Sequence, residues 1–379
     1  MESACLFACL CVHGRGVISL KMLKTSAIVL LTAALVVLSG CSSSKSAKET
    51  MLSAMANNQA AKSMTYTGKI TLDELTLPQT AAGAGQLPAA APLVLSVLKG
   101  AVINIHGKLQ TSPERAELTM DMTLGSGDVK LNLSIPMIIT ADKMWIKVPQ
   151  VPGFPIPETI SGKFVEIDVK MLEQEQGAGA GLGDLTAVQN IGQDLLKPLL
   201  DSLDEKTFFS EPKAADISGL PEGQKADKFV RFSVDESNKD AAITAVMEKA
   251  APQIIDLLLG NEAYMKALQL KKEQLETAKK ELADGGKMKD TVDTLKKSVK
   301  IDQLDVTGGI KDDYLTYEAM NMKLESTDAD TAGMKVGMRF EMSFSDINKE
   351  VKFEYELPKD AIPVEQLQGM LGLPSASGS

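Results

Sequence analysis

Histidine, tryptophan and cysteine are scarce in this sequence of 379 residues, which contains two histidines, one tryptophan and four cysteines. Zinc sites are built mainly from histidine and cysteine, and hydrolytic triads generally use a histidine as the base. His106 is the only histidine beyond residue 40, and no nucleophile elbow, Walker motif or dinucleotide fingerprint accompanies it. The sequence therefore predicts a non-catalytic protein with no metal site and no cofactor.

Basic side chains are outnumbered as well, and the net charge is −10. The first 40 residues hold three basic side chains and one acidic side chain, so the chain beyond them is more acidic still. Such a surface repels nucleic acid and anionic lipid head groups. We expect no nucleic-acid partner and no membrane binding through surface charge.

A short basic start and an apolar run precede Cys41. Lys24 is followed by an apolar stretch from Ala27 to Leu38, which is shorter than the ~18 residues a spanning helix needs. This order is typical of a secretory signal peptide. The tetrapeptide Leu38-Ser39-Gly40-Cys41 resembles the lipobox of bacterial lipoproteins, which implies cleavage before Cys41 and a lipid on its sulfur. An uncleaved anchor and an ordinary secreted protein with a chance cysteine are the alternatives.

Cleavage before Cys41 would also remove Cys5, Cys9 and Cys11, leaving no thiol for a disulfide. We expect the processed protein to be held on the outer face of the cytoplasmic membrane, most naturally in a Gram-positive cell envelope. The sequence predicts four segments: a signal-peptide region at 1–40, in which 1–21 precede the favoured start at Met22; a lipidated N-terminus and tether at 41–60; a folded domain at 61–368 with a helical section at 185–298; and a disordered tail at 369–379.

Alternation of apolar and polar side chains predicts antiparallel strands in much of the folded domain. From Arg115 to Leu124 the even-numbered residues are apolar, and a turn at Gly125 to Asp128 leads into a second alternating run that ends at Ile135. Residues 334–345 show the same period, and a strand also begins at Tyr66. Further strands are predicted at 102–109, 144–148, 164–169, 229–234, 314–324 and 351–357, and helices at 185–203, 240–259, 262–283 and 288–298, with breaks at Pro198 and Pro252.

Methionine is abundant, with 19 residues, and many lie on the apolar sides of the predicted strands. Two interpretations stay open: a methionine-rich core, or a cavity whose pliable walls accept an acyl chain. The candidate apolar ligand face consists of Met120, Met122, Leu131, Leu133, Met338, Phe340 and Met342.

The order of these features resembles the LolA/LppX-like lipoprotein carriers, especially uncharacterised Gram-positive lipoproteins of that superfamily. The resemblance rests on the lipobox, the Ser63-Met64-Thr65-Tyr66-Thr67-Gly68 start of a strand, the long antiparallel strands with helices between them, and a closing strand before Pro358. It covers about residues 50–368. It implies an α+β fold in which a curved, incompletely closed antiparallel sheet, a half-barrel, wraps or is covered by helices and can hold lipid.

Two functions follow as hypotheses. The first is a membrane-anchored lipoprotein that binds or carries an apolar, lipid-like envelope ligand. The alternative is a structural or protein-interaction lipoprotein, such as a sensor or assembly factor, with a filled core and no ligand. The sequence identifies neither a ligand nor a protein partner, and the way the sheet is filled distinguishes the two hypotheses.

Lipidation at Cys41 is directly testable. We expect Cys41→Ala to abolish incorporation of labelled palmitate and to release the protein from the membrane fraction, because the thiol is the only acceptor left after processing. Ser43→Ala, two residues after Cys41 and without a thiol, is the control and should leave labelling unchanged. Labelled, membrane-bound Cys41→Ala protein would contradict the lipobox interpretation.

Overall fold

A computed structural model describes residues 45–76, 100–125, 130–150, 156–168, 185–268, 270–328, 331 and 333–370. The chain divides into two units between Ser46 and Ala47, and the fold described below is that of the second. Cys41, the signal-peptide region and residues 371–379 of the predicted tail lie outside the described residues. Among the helices that are described, none has the length and apolar character needed to cross a membrane.

Twelve strands in the described part of the chain form a single curved, open sheet. Its order is β12-β6-β5-β4-β3-β2-β1-β11-β10-β9-β8-β7, so that the first strand, β1, pairs with the last long strand, β11, near the centre of the sheet. All ladders are antiparallel except the short edge pair of β12 with β6, which is parallel. The strands are β1 Ser63–Thr76, β2 Val102–Thr111, β3 Glu114–Leu124, β4 Leu131–Thr140, β5 Lys143–Lys147, β6 Phe164–Asp168, β7 Phe209–Ser210, β8 Lys228–Val234, β9 Val299–Lys311, β10 Tyr314–Ser326, β11 Lys335–Ser345 and β12 Ile362–Pro363.

Helices from distant parts of the sequence pack over β7 to β10, at one end of the sheet. A second apolar cluster, which includes Ile191 and Leu258, joins the helices to one another rather than to the sheet. The helices are α1 Ala47–Gln59, α2 Leu185–Ser202, α3 Glu205–Phe208, α4 Lys239–Ala245, α5 Ala251–Leu259, α6 Glu262–Ala267, α7 Lys272–Ala283, α8 Gly285–Ser298 and α9 Val364–Met370, with a 3-10 turn at Ala214–Asp216 and a π-helical turn at Val246–Ala250.

The α+β class and the open, curved sheet are confirmed, with the parallel edge pair as the one departure from a purely antiparallel sheet. The predicted strands correspond to β1 to β6, β8, β10 and β11 within a few residues. The strand β9 was not predicted at all. Its pairing with β10 shifts register between Lys323 and Leu324. Asp302 therefore has no opposite residue on β10, and the two-residue period is interrupted there.

Several helix predictions need correction. Residues 262–283 form two helices, α6 and α7, because Asn261 caps the first and the chain turns at Leu268 before the second begins. Pro198 does not interrupt α2, whereas the segment before Pro252 does loosen into a π-helical turn. The helix predicted at 288–298 begins three residues earlier, at Gly285, because the Asp284 carboxylate accepts hydrogen bonds from the N–H groups of Gly286 and Lys287.

The predicted tether at 41–60 is also too long. Residues Ala47–Gln59 form α1, whose Met51 and Ala54 are 4% and 1% exposed in the main core. The amide of Asn58 both donates to and accepts from the main chain of Leu315, which fixes the end of α1 to the start of β10. The folded unit therefore begins at Ala47, and α1 is part of it.

The predicted strand at 351–357 is wrong. This segment crosses the sheet at β3, where the Glu117 carboxylate accepts the main-chain N–H groups of Glu354 at 2.6 Å and Tyr355 at 3.1 Å. Because these two N–H groups donate to a side chain, they form no hydrogen bonds with a neighbouring strand. Arg115 adds a 2.7 Å ion pair to Glu117 and stacks 4.2 Å from the centre of the Phe353 ring.

Glu117 is 4% exposed, and its contacts make it the anchor of the 351–357 segment. We expect Glu117→Ala to lower the free energy of unfolding by about 3 kcal/mol, because it leaves Arg115 and two N–H groups without their acceptor. Urea denaturation measures the change. Glu114→Ala, at an exposed position on the same strand, is the control and should change stability by less than about 0.5 kcal/mol. Equal effects of the two substitutions would contradict the anchoring role.

Candidate functional site

A cavity of about 580 Å³ lies between the helices and the β8–β10 part of the sheet. Its helical wall combines α1, α2, α4 with the π-helical turn that follows, and α8. Leu295 of α8 is 37% exposed although it lines the cavity, so the cavity reaches the protein surface there. The residues of this wall, including Leu203 just beyond α2, are Met51, Met55, Leu196, Leu199, Leu200, Leu203, Ala242, Ile243, Val246, Met247 and Leu295.

The floor of the cavity is one face of the sheet, here called the cavity face. Phe232 and Val234 of β8 lie opposite Val306 and Leu304 of β9 in the antiparallel ladder, so their side chains share this face. Ile301 lies three residues from Leu304, a spacing that in a regular strand would put the two side chains on opposite faces. Because Asp302 is an extra residue in the β9–β10 ladder, both side chains lie on the cavity face. The floor therefore includes residues of β9, the strand that the alternation of apolar and polar residues did not predict.

Glu318 of β10 is the only charged side chain among the described cavity residues. It is directly opposite Gly308 on β9 and Met342 on β11, neither of which offers a polar side chain. Within the described part of the chain its carboxyl group has no hydrogen bond or ion pair. Burial in these apolar surroundings raises the pKa of the Glu318 carboxyl above its ordinary value.

The seven predicted face residues all lie on the cavity face but not in the cavity. Met338, Phe340 and Met342 of β11 are opposite Met322, Met320 and Glu318, and the ladders through β1 and β2 carry the same face to the remaining four. All seven are half-buried. The structure therefore places three on β11 and four on β3 and β4, separated by β1 and β2: Met338, Phe340 and Met342, then Met120, Met122, Leu131 and Leu133.

Glu318 was missed by the sequence analysis, although a signal was present. On β10 it occupies the same alternating positions as Met320, Met322 and Leu324, a charged residue in an otherwise apolar row. The wall residues from α1 and α2 gave no comparable signal. Their role depends on helices that come together only in the folded chain.

The structure places His106, the histidine considered in the sequence analysis, on the surface of the sheet. His106 lies on the opposite face from the cavity, with Nδ1 3.6 Å from Asp121 Oδ2, and both side chains are about two-fifths exposed. Across the described ranges, no cluster of three or more histidine, cysteine or carboxylate side chains is placed to hold a metal ion. His106 is thus part of a surface pair on β2 and β3.

No protein-family model matches this chain, and a search of curated proteins finds no relative. Among solved structures, the chain is similar to the crystal structure of LprF from Mycobacterium bovis. The two share 10% sequence identity with a TM-score of 0.30, over 82% of this chain and 96% of LprF. A TM-score this low supports no inference about function.

The desolvated carboxyl of Glu318 predicts a specific pH dependence of stability. Because its pKa is raised on folding from 4.5, Glu318 costs stability once it is ionised, and the cost grows as pH rises through the folded-state pKa. We expect Glu318→Gln to raise the urea midpoint at pH 8 and to lose that advantage near pH 4, where the carboxyl is protonated in both states.

The matched control is Glu248→Gln, at an exposed position outside the cavity lining. It should follow the wild-type curve at both pH values. A Glu318→Gln variant with the same midpoint difference at pH 4 and pH 8 would contradict the assignment of an uncompensated carboxylate to the cavity.

Proposed function

We propose that this protein is a membrane-anchored lipoprotein that binds or carries an apolar, lipid-like envelope ligand in the cavity, without catalysing a reaction on it. The observation that carries the proposal is an apolar cavity of about 580 Å³ that reaches the surface at Leu295. Its volume lies within the range of about 300–1,000 Å³ that is typical of small-molecule sites.

The walls suit a flexible hydrocarbon better than a polar metabolite. Apart from Glu318, every described lining side chain is aliphatic, aromatic or methionine. Transfer of a hydrocarbon chain from water to such walls is favourable at roughly 25 cal/mol per Å² of apolar surface buried. Met51, Met55 and Met247 give the walls unbranched, adaptable side chains that can adjust to chains of different shape.

A lipid on Cys41 would attach the protein that contains this cavity to a membrane. Only residues 42–46 separate Cys41 from α1, and α1 itself supplies Met51 and Met55 to the wall. The membrane that holds such an anchor is also a source of apolar ligands. The anchor and the cavity thus serve one function in the proposal: to receive lipid-like molecules at a membrane surface.

The cavity also distinguishes between the two hypotheses drawn from the sequence. In a structural or protein-interaction lipoprotein we would expect side chains to fill this space, because an empty apolar cavity lowers stability through lost van der Waals contacts. Val230, on the same face of β8 as Phe232 and Val234, is fully buried beside the cavity, so the space does not extend along the whole strand. This contrast favours the ligand-binding hypothesis.

A substitution that fills the cavity tests the proposal. We expect Leu304→Trp to weaken binding of the neutral apolar dye N-phenyl-1-naphthylamine by about tenfold, because the indole would occupy ligand volume. Fluorescence titration measures the affinity. The control is Leu268→Trp, because Leu268 is 41% exposed and does not line the cavity. Thermal melting of both variants tests whether each is folded.

Native mass spectrometry of gently extracted protein provides the second measurement. The expected spectrum contains an additional mass that is absent from Leu304→Trp and present in Leu268→Trp. A wild-type protein that carries no ligand and does not bind the dye would overturn the proposal and favour the structural alternative.

A further inference from the structure

The unpartnered carboxyl of Glu318 is the feature of the cavity that a purely apolar ligand does not explain. A hydrocarbon chain alone would leave this group as it is, half-buried beside Gly308 and Met342 with no described residue to donate to it. A buried acceptor without a donor costs free energy, and the cost is larger when the group is ionised. A ligand with donors at one end would remove that cost on binding.

Groups that face Glu318 from the surrounding elements offer no compensating charge. The described cavity residues of α1, α2, α4, the π-helical turn, α8, β8 and β9 are all apolar. Basic side chains on two of these helices are engaged elsewhere. Lys48 donates to the carbonyl of Leu203 and lies 3.9 Å from Asp201, while Lys239 pairs with Glu236 and donates to Val299.

We propose that the cavity selects cationic amphiphiles, in which a protonated amine pairs with Glu318 and a single hydrocarbon chain occupies the apolar walls. This inference rests on the proposed ligand-binding function and names the chemical class of the ligand. The ammonium group supplies both the donors and the counter-charge that the described residues lack.

The choice of an ammonium over other head groups follows from charge. An anionic head group, such as a fatty-acid carboxylate, would be repelled by Glu318 and by a chain of net charge −10. A neutral hydroxyl could form one hydrogen bond, but hydrogen bonds between ionised partners are about twice as strong as those between neutral ones. An ammonium group therefore gains more from this position than an alcohol of equal chain length.

The pairing also has a defined pH dependence. Binding requires the carboxylate form of Glu318 and the protonated amine, so affinity falls on acidification as Glu318 takes up a proton. Because burial raises the pKa of Glu318, this loss begins above the pH at which an exposed glutamate would titrate. An alkyl alcohol lacks a charge to pair, so its affinity should not fall in this way.

Displacement of N-phenyl-1-naphthylamine by three probes with the same chain length tests the inference: dodecylamine, dodecanol and dodecanoate, each below its aggregation concentration at pH 8. In the wild type we expect dodecylamine to bind at least about tenfold more tightly than dodecanol, and dodecanoate to bind weakest. Glu318→Gln should remove the preference for the amine. Glu248→Gln, which removes the same charge at an exposed position, should keep it.

The outcomes separate this inference from the proposed function. If the dye and dodecanol bind but dodecylamine binds no more tightly, or if Glu318→Gln keeps the preference, the head-group assignment is overturned and the apolar cavity stands. If neither the dye nor any probe binds, the proposed function fails and the inference with it. Should Glu318→Gln not fold, the wild-type ratio of the two affinities decides: it should shrink between pH 8 and pH 5, and a constant ratio would refute the pairing.

Discussion

The pairing of β10 with β9 and β11 is the constraint on which both faces of the sheet depend. Successive residues of β10 point to opposite sides, so Tyr317 and Glu318 enter two different environments. Tyr317 is fully buried in a cluster with Ile217 and Phe229, and burial raises its pKa to about 12. A slip of one residue would exchange the phenol and the carboxyl, and neither side could accept the other's residue.

The cavity exists because the helices pack against one another as well as against the sheet. Ile191 of α2 belongs to the cluster between helices, whereas Leu200, about two and a half turns later, belongs to the cluster on the sheet. A helix that packs against other helices on one side and against the sheet on another cannot make full contact with both along its whole length. The space that remains is bounded by α1 and by β8 to β10, where it is lined by long, flexible side chains.

The local part of this fold could be predicted from the sequence, because alternation reports the direction of each side chain. The strands β3, β4 and β11 were recognised for that reason, and all seven predicted face residues do share one face. Alternation does not report what covers a face. Helices that lie far apart in sequence cover β8 to β10, so three strands, β11, β1 and β2, separate the cavity from the four predicted residues on β3 and β4.

The failures have a common physical cause, which is a local pattern overridden by a distant contact. Residues 351–357 alternate like a strand, yet a buried carboxylate on β3 takes two of their N–H groups. In β9 the irregularity opposite Lys323 breaks the alternation while the ladder continues on both sides of it. Neither event can be read from the segment alone, since the partner lies on another strand.

Glu318 breaks the apolar row of β10 without its carboxyl forming a polar contact with any other described residue, unlike the two departures above. The irregularity in β9 keeps Ile301 directed into the cavity, and Glu117 holds a segment of the chain, so both departures contribute to stability. The Glu318 carboxyl contributes no contact among the described residues and is desolvated by its apolar neighbours. A leucine or methionine there would complete the row formed by Met320 and Met322. Residues that lower stability in this way tend to serve binding or catalysis. A carboxyl group within an apolar cavity is suited to recognising the polar end of a bound molecule, while the surrounding walls bind its hydrocarbon chain.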